Sequence, residues 1–231
     1  MSRTRHVIVA HPWKIAFARV PKVATISVRS LFARNLQLSH PTLVVRNDVF
    51  WIEADPDKAG LVSPRQYVTS FSDYWCFTVT REPFSRLLSC YNNKIIRLET
   101  IPRDFLAMGC RKGMTFSEFA DIVAVTPDEG VDIHLIPQAS LLTYENKAYP
   151  DFVARLETIG DDWTVIRDEI KARSGLDLGP LPHRNKRHED ALSFDDAVAH
   201  QPGAFDAVYE RYRRDYELFY PHISSIDDLR R

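Results

Sequence analysis

The residues of this chain best suited to chemistry fall in two short segments, each following an apolar run and leading into a helical pattern. The first reads Arg19-Val-Pro-Lys-Val-Ala-Thr-Ile-Ser27. It offers Lys22, the hydroxyls of Thr25 and Ser27, and the backbone N–H groups of Val23, Ala24 and Ile26 at a helix start, a combination that holds an oxyanion. It is not a Walker A loop, because G-x-x-x-x-G-K-[ST] is absent and no glycine occurs from Met1 to Ala59. Read alone, the segment is equally a helix capped by Thr25 or Ser27 with a solvated lysine. The second segment reads Thr80-Arg-Glu-Pro-Phe-Ser-Arg-Leu-Leu-Ser-Cys-Tyr-Asn-Asn-Lys94. It sets Arg81 at a strand tip and Ser89 about two turns into a helix, from where both can reach one phosphate lying over the helix start. Taken singly, Arg81 reads as a surface arginine and Ser89 as an ordinary helical serine.

Two strand–loop–helix units must position these residues. Ile15-Ala-Phe-Ala-Arg-Val20, closed by Pro21, suits a buried strand, and Val28, Leu31, Phe32 and Leu36 recur at helical spacing over Ser27–Gln37. Trp75–Thr80 is a second β-rich run. Pro83 stands at the first helical position ahead of Phe84, Leu87, Leu88 and Tyr91 on one face. Further along, Phe116–Val125 and Trp163–Ala172 read as helices, Asp151–Leu156 as a third strand and Phe205–Phe219 as a terminal amphipathic helix. The stretch Val44–Phe71 has no clear pattern, and no strand is assigned to it. This alternation predicts an α/β fold with a central parallel sheet flanked by helices, whose ligands bind beyond the carboxyl ends of the strands.

Composition narrows the class. With 231 residues, 45% hydrophobic and 26% charged, the chain is expected to form a single globular domain. A formal net charge of −1 gives no reason to expect nucleic-acid binding, yet residues 1–50 carry eight Lys/Arg against one acidic residue, Asp48, which favours a local anion site. Cys76, Cys90 and Cys110 form no C-x-x-C pair, so neither a disulfide framework nor a zinc knuckle is indicated and a reducing compartment is expected. Val7–Ala10 is too short for a leader core or a membrane span, which predicts a cytoplasmic protein without a transmembrane segment. No metal-ligand spacing appears.

Together the segments resemble carbohydrate sulfotransferase family 2, which includes chondroitin, dermatan, heparan 2-O and HNK-1 sulfotransferases and small bacterial relatives. Phe17–Phe32 looks like that family's 5′-phosphosulfate loop, and Phe77–Lys94 like its 3′-phosphate segment, R-D/E-P-F-x-R-L-x-S-x-Y. Three later fragments agree in order: His134-Leu-Ile-Pro-Gln138 with H-W-x-P-Q, Leu181-Pro-His-Arg-Asn185 with L-P-H-x-N, and Tyr212-Arg-Arg-Asp-Tyr-Glu-Leu-Phe219 with x-x-D-Y-x-L-F. One departure stands out. Where the family commonly has threonine four residues after the loop lysine, this chain has Ile26 between Thr25 and Ser27.

The resemblance implies a P-loop-like α/β sandwich and transfer of a sulfuryl group from 3′-phosphoadenosine 5′-phosphosulfate (PAPS) to a hydroxyl, on a carbohydrate or similar acceptor. The product PAP is released, and no metal is needed. The eukaryotic members carry a membrane anchor that this chain lacks, so it looks like a bacterial cytosolic member. Donor binding then falls to Lys22, Val23, Ala24, Thr25, Ile26, Ser27, Arg81 and Ser89, with Asn185 and Lys186, flanked by Arg184 and Arg187, as a basic turn closing on the nucleotide. Lys22 would neutralise charge on the leaving phosphate oxygen. His134 leads as the general base, ahead of His183 and then Glu157, while a structural histidine at 134 stays open. Two other readings stay open as well: a P-loop nucleotide phosphotransferase, and a non-catalytic nucleotide- or anion-binding protein of the same fold.

Overall fold

Short apolar runs become the strands of one sheet, and the amphipathic stretches between them become helices. The protein is seen in a computed structural model that describes residues 5–182, 191–200 and 203–230. In chain order the elements are β1 (Val7–Ala10), β2 (Ile15–Ala18), α1 (Thr25–Asn35), α2 (Asp48–Ile52), β3 (Ala59–Val62), α3 (Pro64–Ser70), β4 (Trp75–Thr80), α4 (Pro83–Tyr91) and α5 (Arg103–Ala107). There follow α6 (Phe116–Val125), α7 (Gln138–Leu142), β5 (Thr143–Tyr144), β6 (Lys147–Ala148), β7 (Phe152–Arg155), α8 (Ile159–Ser174), α9 (Phe194–His200), α10 (Gly203–Arg211) and α11 (Arg213–Phe219). The chain divides into two compact units. One runs up to Thr80 and resumes at Ser140; the other runs from Arg81 to Ala139 and takes up the C-terminal stretch.

The first unit holds a five-stranded sheet of order β3-β1-β2-β4-β7. Strands β2, β4 and β7 are parallel, whereas β1 is antiparallel to both β2 and β3, so the sheet is mixed rather than wholly parallel. The connection explains it. Only His11–Lys14 separate β1 from β2, with Lys14 in the left-handed region at φ 50°, and a link that short permits an antiparallel return but no crossover. Register pairs Ile15 with Trp75 and Ala18 with Thr78, so β2 and β4 end at the same edge. There the Thr78 hydroxyl donates to the Ala18 carbonyl at 2.8 Å and the Thr80 hydroxyl to the Ala154 carbonyl at 3.1 Å. On one face Phe17 stacks on Phe77 at 5.1 Å, and Phe32 of α1 and Trp163 of α8 meet that pair. Fully buried rings of this size each contribute about 2–3 kcal/mol, enough to fix both helices on the sheet. The unpatterned Val44–Phe71 holds α2, β3 and α3.

The second unit is helical. Phe84 of α4 meets Phe116 edge-on at 5.2 Å and Phe194 at 5.9 Å, and Tyr91 packs on Phe116 and Phe119. Beyond Tyr91 the chain widens into a π-helical turn, Asn92–Arg97. Lys112 Nζ donates to its carbonyls at Ile95 and Ile96 and to that of Leu98, at 2.6, 3.0 and 2.8 Å. The single helix expected over Phe205–Phe219 is broken at Tyr212, whose φ/ψ of −112°/22° leave the helical region. Tertiary bonds hold the break: the buried Tyr212 hydroxyl donates to the Leu135 carbonyl at 2.8 Å. No helix among the described residues is long and apolar enough to cross a membrane.

Candidate active site

The loop after β2 makes its turn into α1 without glycine. Lys22 and Ala24 take the left-handed region at φ 72° and 61°, a conformation that costs a non-glycine residue about 1–2 kcal/mol. Two local features hold it. Val23 is fully buried between them, and the Thr25 hydroxyl donates to the Val20 carbonyl across the loop. Ala24 is the N-cap of α1, and its carbonyl accepts from Ser27 at 2.9 Å and Val28 at 3.3 Å. The N–H groups of Val23, Ala24, Thr25 and Ile26 find no acceptor among the described residues. These are the donors a helix start offers an oxyanion.

The two hydroxyls are engaged differently from the sequence expectation. Thr25 donates to Val20, and Ser27, nearly buried, donates to the Pro182 carbonyl at 2.7 Å. Ile26, by contrast, is 45% exposed on the first turn of α1.

The residues on either side of the loop join a charge cluster that sequence reading did not foresee. Asp48, at the start of α2, takes a bidentate pair from Arg19 at 2.7 and 3.1 Å and a further bond from Arg29 at 3.1 Å. Arg19 precedes the loop and Arg29 follows it, so one carboxylate ties both ends. Two buried guanidiniums thus share one carboxylate, which leaves a surplus positive charge in this cluster. Burial, together with the charge of Arg19, lowers the Arg29 guanidinium to about 10 against the pull of Asp48. Burial pushes the Asp48 carboxyl up, but the bonds and charges of Arg19 and Arg29 outweigh it and hold the group below its usual range. The only signal in the sequence was Asp48 as the single acid among eight basic residues.

In the second unit, the turn bearing Arg81 is held from three sides. The Gln138 side chain accepts from the Arg81 N–H at 3.0 Å and donates to the Arg81 carbonyl at 2.8 Å, pairing with the backbone as a strand would. Gln138 and Ala139 in turn donate their N–H groups to the fully buried carboxylate of Asp215, at 2.9 and 2.7 Å. Glu82 caps α4, accepting from Phe84 and Ser85 at 2.7 Å each and from the Tyr216 hydroxyl at 2.8 Å. Burial raises both Glu82 and Asp215, although the N–H groups they accept from oppose it. The H-x-x-P-Q and D-Y-x-L-F fragments thus meet around Arg81. On α4, Ser85 and Ser89 share the face left part-exposed, with Ser89 about 9 Å along the axis from Pro83.

His134 lies on a turn in the same unit. Its backbone N–H donates to Asp132 Oδ1 at 2.8 Å, and its ring Nδ1 pairs with the same oxygen. Burial raises the Asp132 carboxyl, but the bond and charge of His134, with the charge of Lys94 beyond, bring it below the usual range. Glu157 is exposed on a 3-10 turn after β7, while His183, Asn185 and Lys186 lie outside the described residues. Among the described residues no group of three His, Cys, Asp or Glu side chains is arranged to hold a metal ion.

The first unit is therefore an α/β layer in which strand β2 leads through a glycine-free, lysine-bearing loop into α1. Comparison with known proteins narrows this. The model of the sulfotransferase family matches residues 5–221, and the chain belongs to that family, as a member of carbohydrate sulfotransferase family 2. It is similar to carbohydrate sulfotransferase 14 of Danio rerio, 26% identical over 183 residues, which are 73% of this chain and 49% of the relative. The chain spans about half the length of that curated relative. No solved structure matches it significantly.

Proposed function

We propose that the protein transfers a sulfuryl group from PAPS to a hydroxyl of a carbohydrate or similar acceptor, releasing PAP. The observation that carries this reading is the Lys22 loop: two left-handed residues lead into α1, four backbone N–H groups at its start find no acceptor among the described residues, and two buried arginines flank the loop in sequence. Those donors suit the oxygens of a 5′-phosphosulfate. Sulfuryl transfer passes a group with charge spread over three oxygens in line from leaving group to nucleophile, so positioning and charge do most of the catalysis. Lys22 neutralises charge growing on the leaving phosphate oxygen, and His134 takes the acceptor's proton. Arg81 and Ser89 bind the 3′-phosphate. In this reading the loop N–H groups, rather than the hydroxyls of Thr25 and Ser27, make the main contacts with the phosphosulfate. Three buried cysteines, none in a disulfide among the described residues, support the cytoplasm as the proposed compartment.

A second reading, a non-catalytic PAP-binding protein, draws on one observation: both loop hydroxyls donate to backbone carbonyls. Calorimetry with PAP, ADP and ATP tests the donor without knowledge of the acceptor. PAP is expected to bind more tightly than ADP, and Arg81→Ala to erase most of that preference. Equal affinity of the wild-type protein for PAP and ADP would refute the donor assignment, and PAP binding without turnover across an acceptor panel would favour the second reading.

A further inference from the structure

We infer that Asp132 is the positioning residue of the catalytic base: it holds the His134 imidazole in the tautomer that leaves Nε2 bare for the acceptor. This rests on the sulfotransferase reading of the site. The geometry is local and stiff. One oxygen, Asp132 Oδ1, receives both the backbone N–H of His134 and its ring Nδ1, so the proton of a neutral imidazole sits on Nδ1 and the ring is locked to its own turn. The turn closes on itself and is anchored to the rest of the second unit just after the histidine. Leu135 donates its N–H to the Asp132 carbonyl at 2.8 Å, Leu135 receives the Tyr212 hydroxyl, and the Ile136 carbonyl accepts from Arg86 at 2.9 Å.

A base carried on such a platform keeps its direction, whereas a free histidine would share its proton between two nitrogens. The charged groups that bear on the pair are Asp132 itself and Lys94, carried in by the π-helical turn. In the transfer step the acceptor O–S bond forms as the bond from sulfur to the PAP phosphate oxygen breaks. The hydroxyl proton passes to Nε2, and Asp132 stabilises the imidazolium without taking a proton.

Two substitutions separate orientation from charge. Asp132→Ala removes both; Asp132→Asn keeps an oxygen for Nδ1–H and removes the charge. Long-range proton–nitrogen correlation spectra of the full chain labelled with nitrogen-15 histidine read the tautomer directly, with neither donor nor acceptor present. The wild-type protein is expected to show His134 protonated at Nδ1, Asp132→Asn to keep that form and Asp132→Ala to lose it. In turnover with PAPS and an acceptor found by panel screening, the expected order is wild type, then Asp132→Asn, then Asp132→Ala. The Ala variant should fall by roughly 10²-fold in kcat with PAP affinity unchanged, within the range of general-base effects. On a His134→Ala background Asp132→Ala should have no further effect.

An unchanged tautomer in Asp132→Ala would overturn the inference whatever the enzyme's activity. So would a changed tautomer with undiminished kcat, or additive losses in the double variant. If Asp132→Ala fails to fold, the Asn variant decides: undiminished kcat there refutes the role of the charge. A wild-type protein that binds no PAP and transfers no sulfate sinks the functional reading instead, and leaves the tautomer result standing.

Discussion

Replacing Asp215 with alanine should loosen the turn that carries Arg81. The fully buried carboxylate accepts two N–H groups at 2.9 and 2.7 Å, and through Gln138 it fixes the backbone of Arg81. A hydrogen bond to a charged group is worth about 1.5–3 kcal/mol, so the two together amount to roughly 3–6 kcal/mol. Burial of the carboxylate opposes this, which is why its pKa is raised, and the net loss should be about 2–4 kcal/mol. Against a typical stability of about 5–15 kcal/mol the variant stays folded, with Tm lower by roughly 5–15 °C.

The pH dependence has a definite sign. A carboxyl whose folded pKa is raised stabilises most below its unfolded value and loses that contribution as pH rises through the folded one. The gap between wild type and Asp215→Ala should therefore be wider at pH 4 than at pH 7. Thermal melts at both values, followed by PAP calorimetry on Asp215→Ala and Gln138→Ala, check the chain of contacts. A Tm change under about 2 °C, or full PAP affinity in Gln138→Ala, would refute the argument that these residues hold the arginine.

Lys22→Ala should lower kcat by roughly 10²–10³-fold while weakening PAP binding less than about tenfold, because its charge is needed most as the leaving oxygen develops; equal losses in steady-state kinetics and calorimetry would reduce it to a docking contact. Ile26→Thr, on a side chain 45% exposed, should leave stability within about 0.5 kcal/mol and keep or tighten PAPS binding; a clear loss of affinity would show that the isoleucine shapes the loop. Asp48→Asn should destabilise by about 1–3 kcal/mol at pH 7, less than a fully buried pair because the carboxylate side chain is 47% exposed. Its depressed pKa means the native contribution is present above about pH 4 and lost as pH falls through the folded value, so here the gap to wild type should narrow in acid, opposite to Asp215. Urea melts at pH 7 and pH 3.5 that show the same gap would remove Asp48 as the tie between Arg19 and Arg29.

How much of this was legible in the sequence depends on the range of the forces involved. Trp75–Thr80 and Phe116–Val125 occur as strand and helix with the bounds read from the chain, because alternation, caps and Pro83 act over a few residues. The two strand–loop–helix units, β2 to α1 and β4 to α4, were likewise legible, since each is a local signal. What lay beyond it was decided between distant residues. Val7–Ala10 has no pattern that marks a strand running against its neighbours, and its antiparallel place came from a four-residue link and from β3, itself hidden in Val44–Phe71. Helix α10 stops at Tyr212 because a hydroxyl reaches Leu135, 77 residues away, which periodicity cannot register.

The site divides along the same line. Lys22 and Arg81 could be proposed from residue type and spacing, and His134 from the family resemblance. That Asp48 ties both ends of the loop, that Gln138 and Asp215 brace Arg81, and that Ser27 gives its proton to Pro182 follow only from the fold. A buried polar group must find a partner wherever the tertiary structure supplies one, and the chain alone does not say where that is.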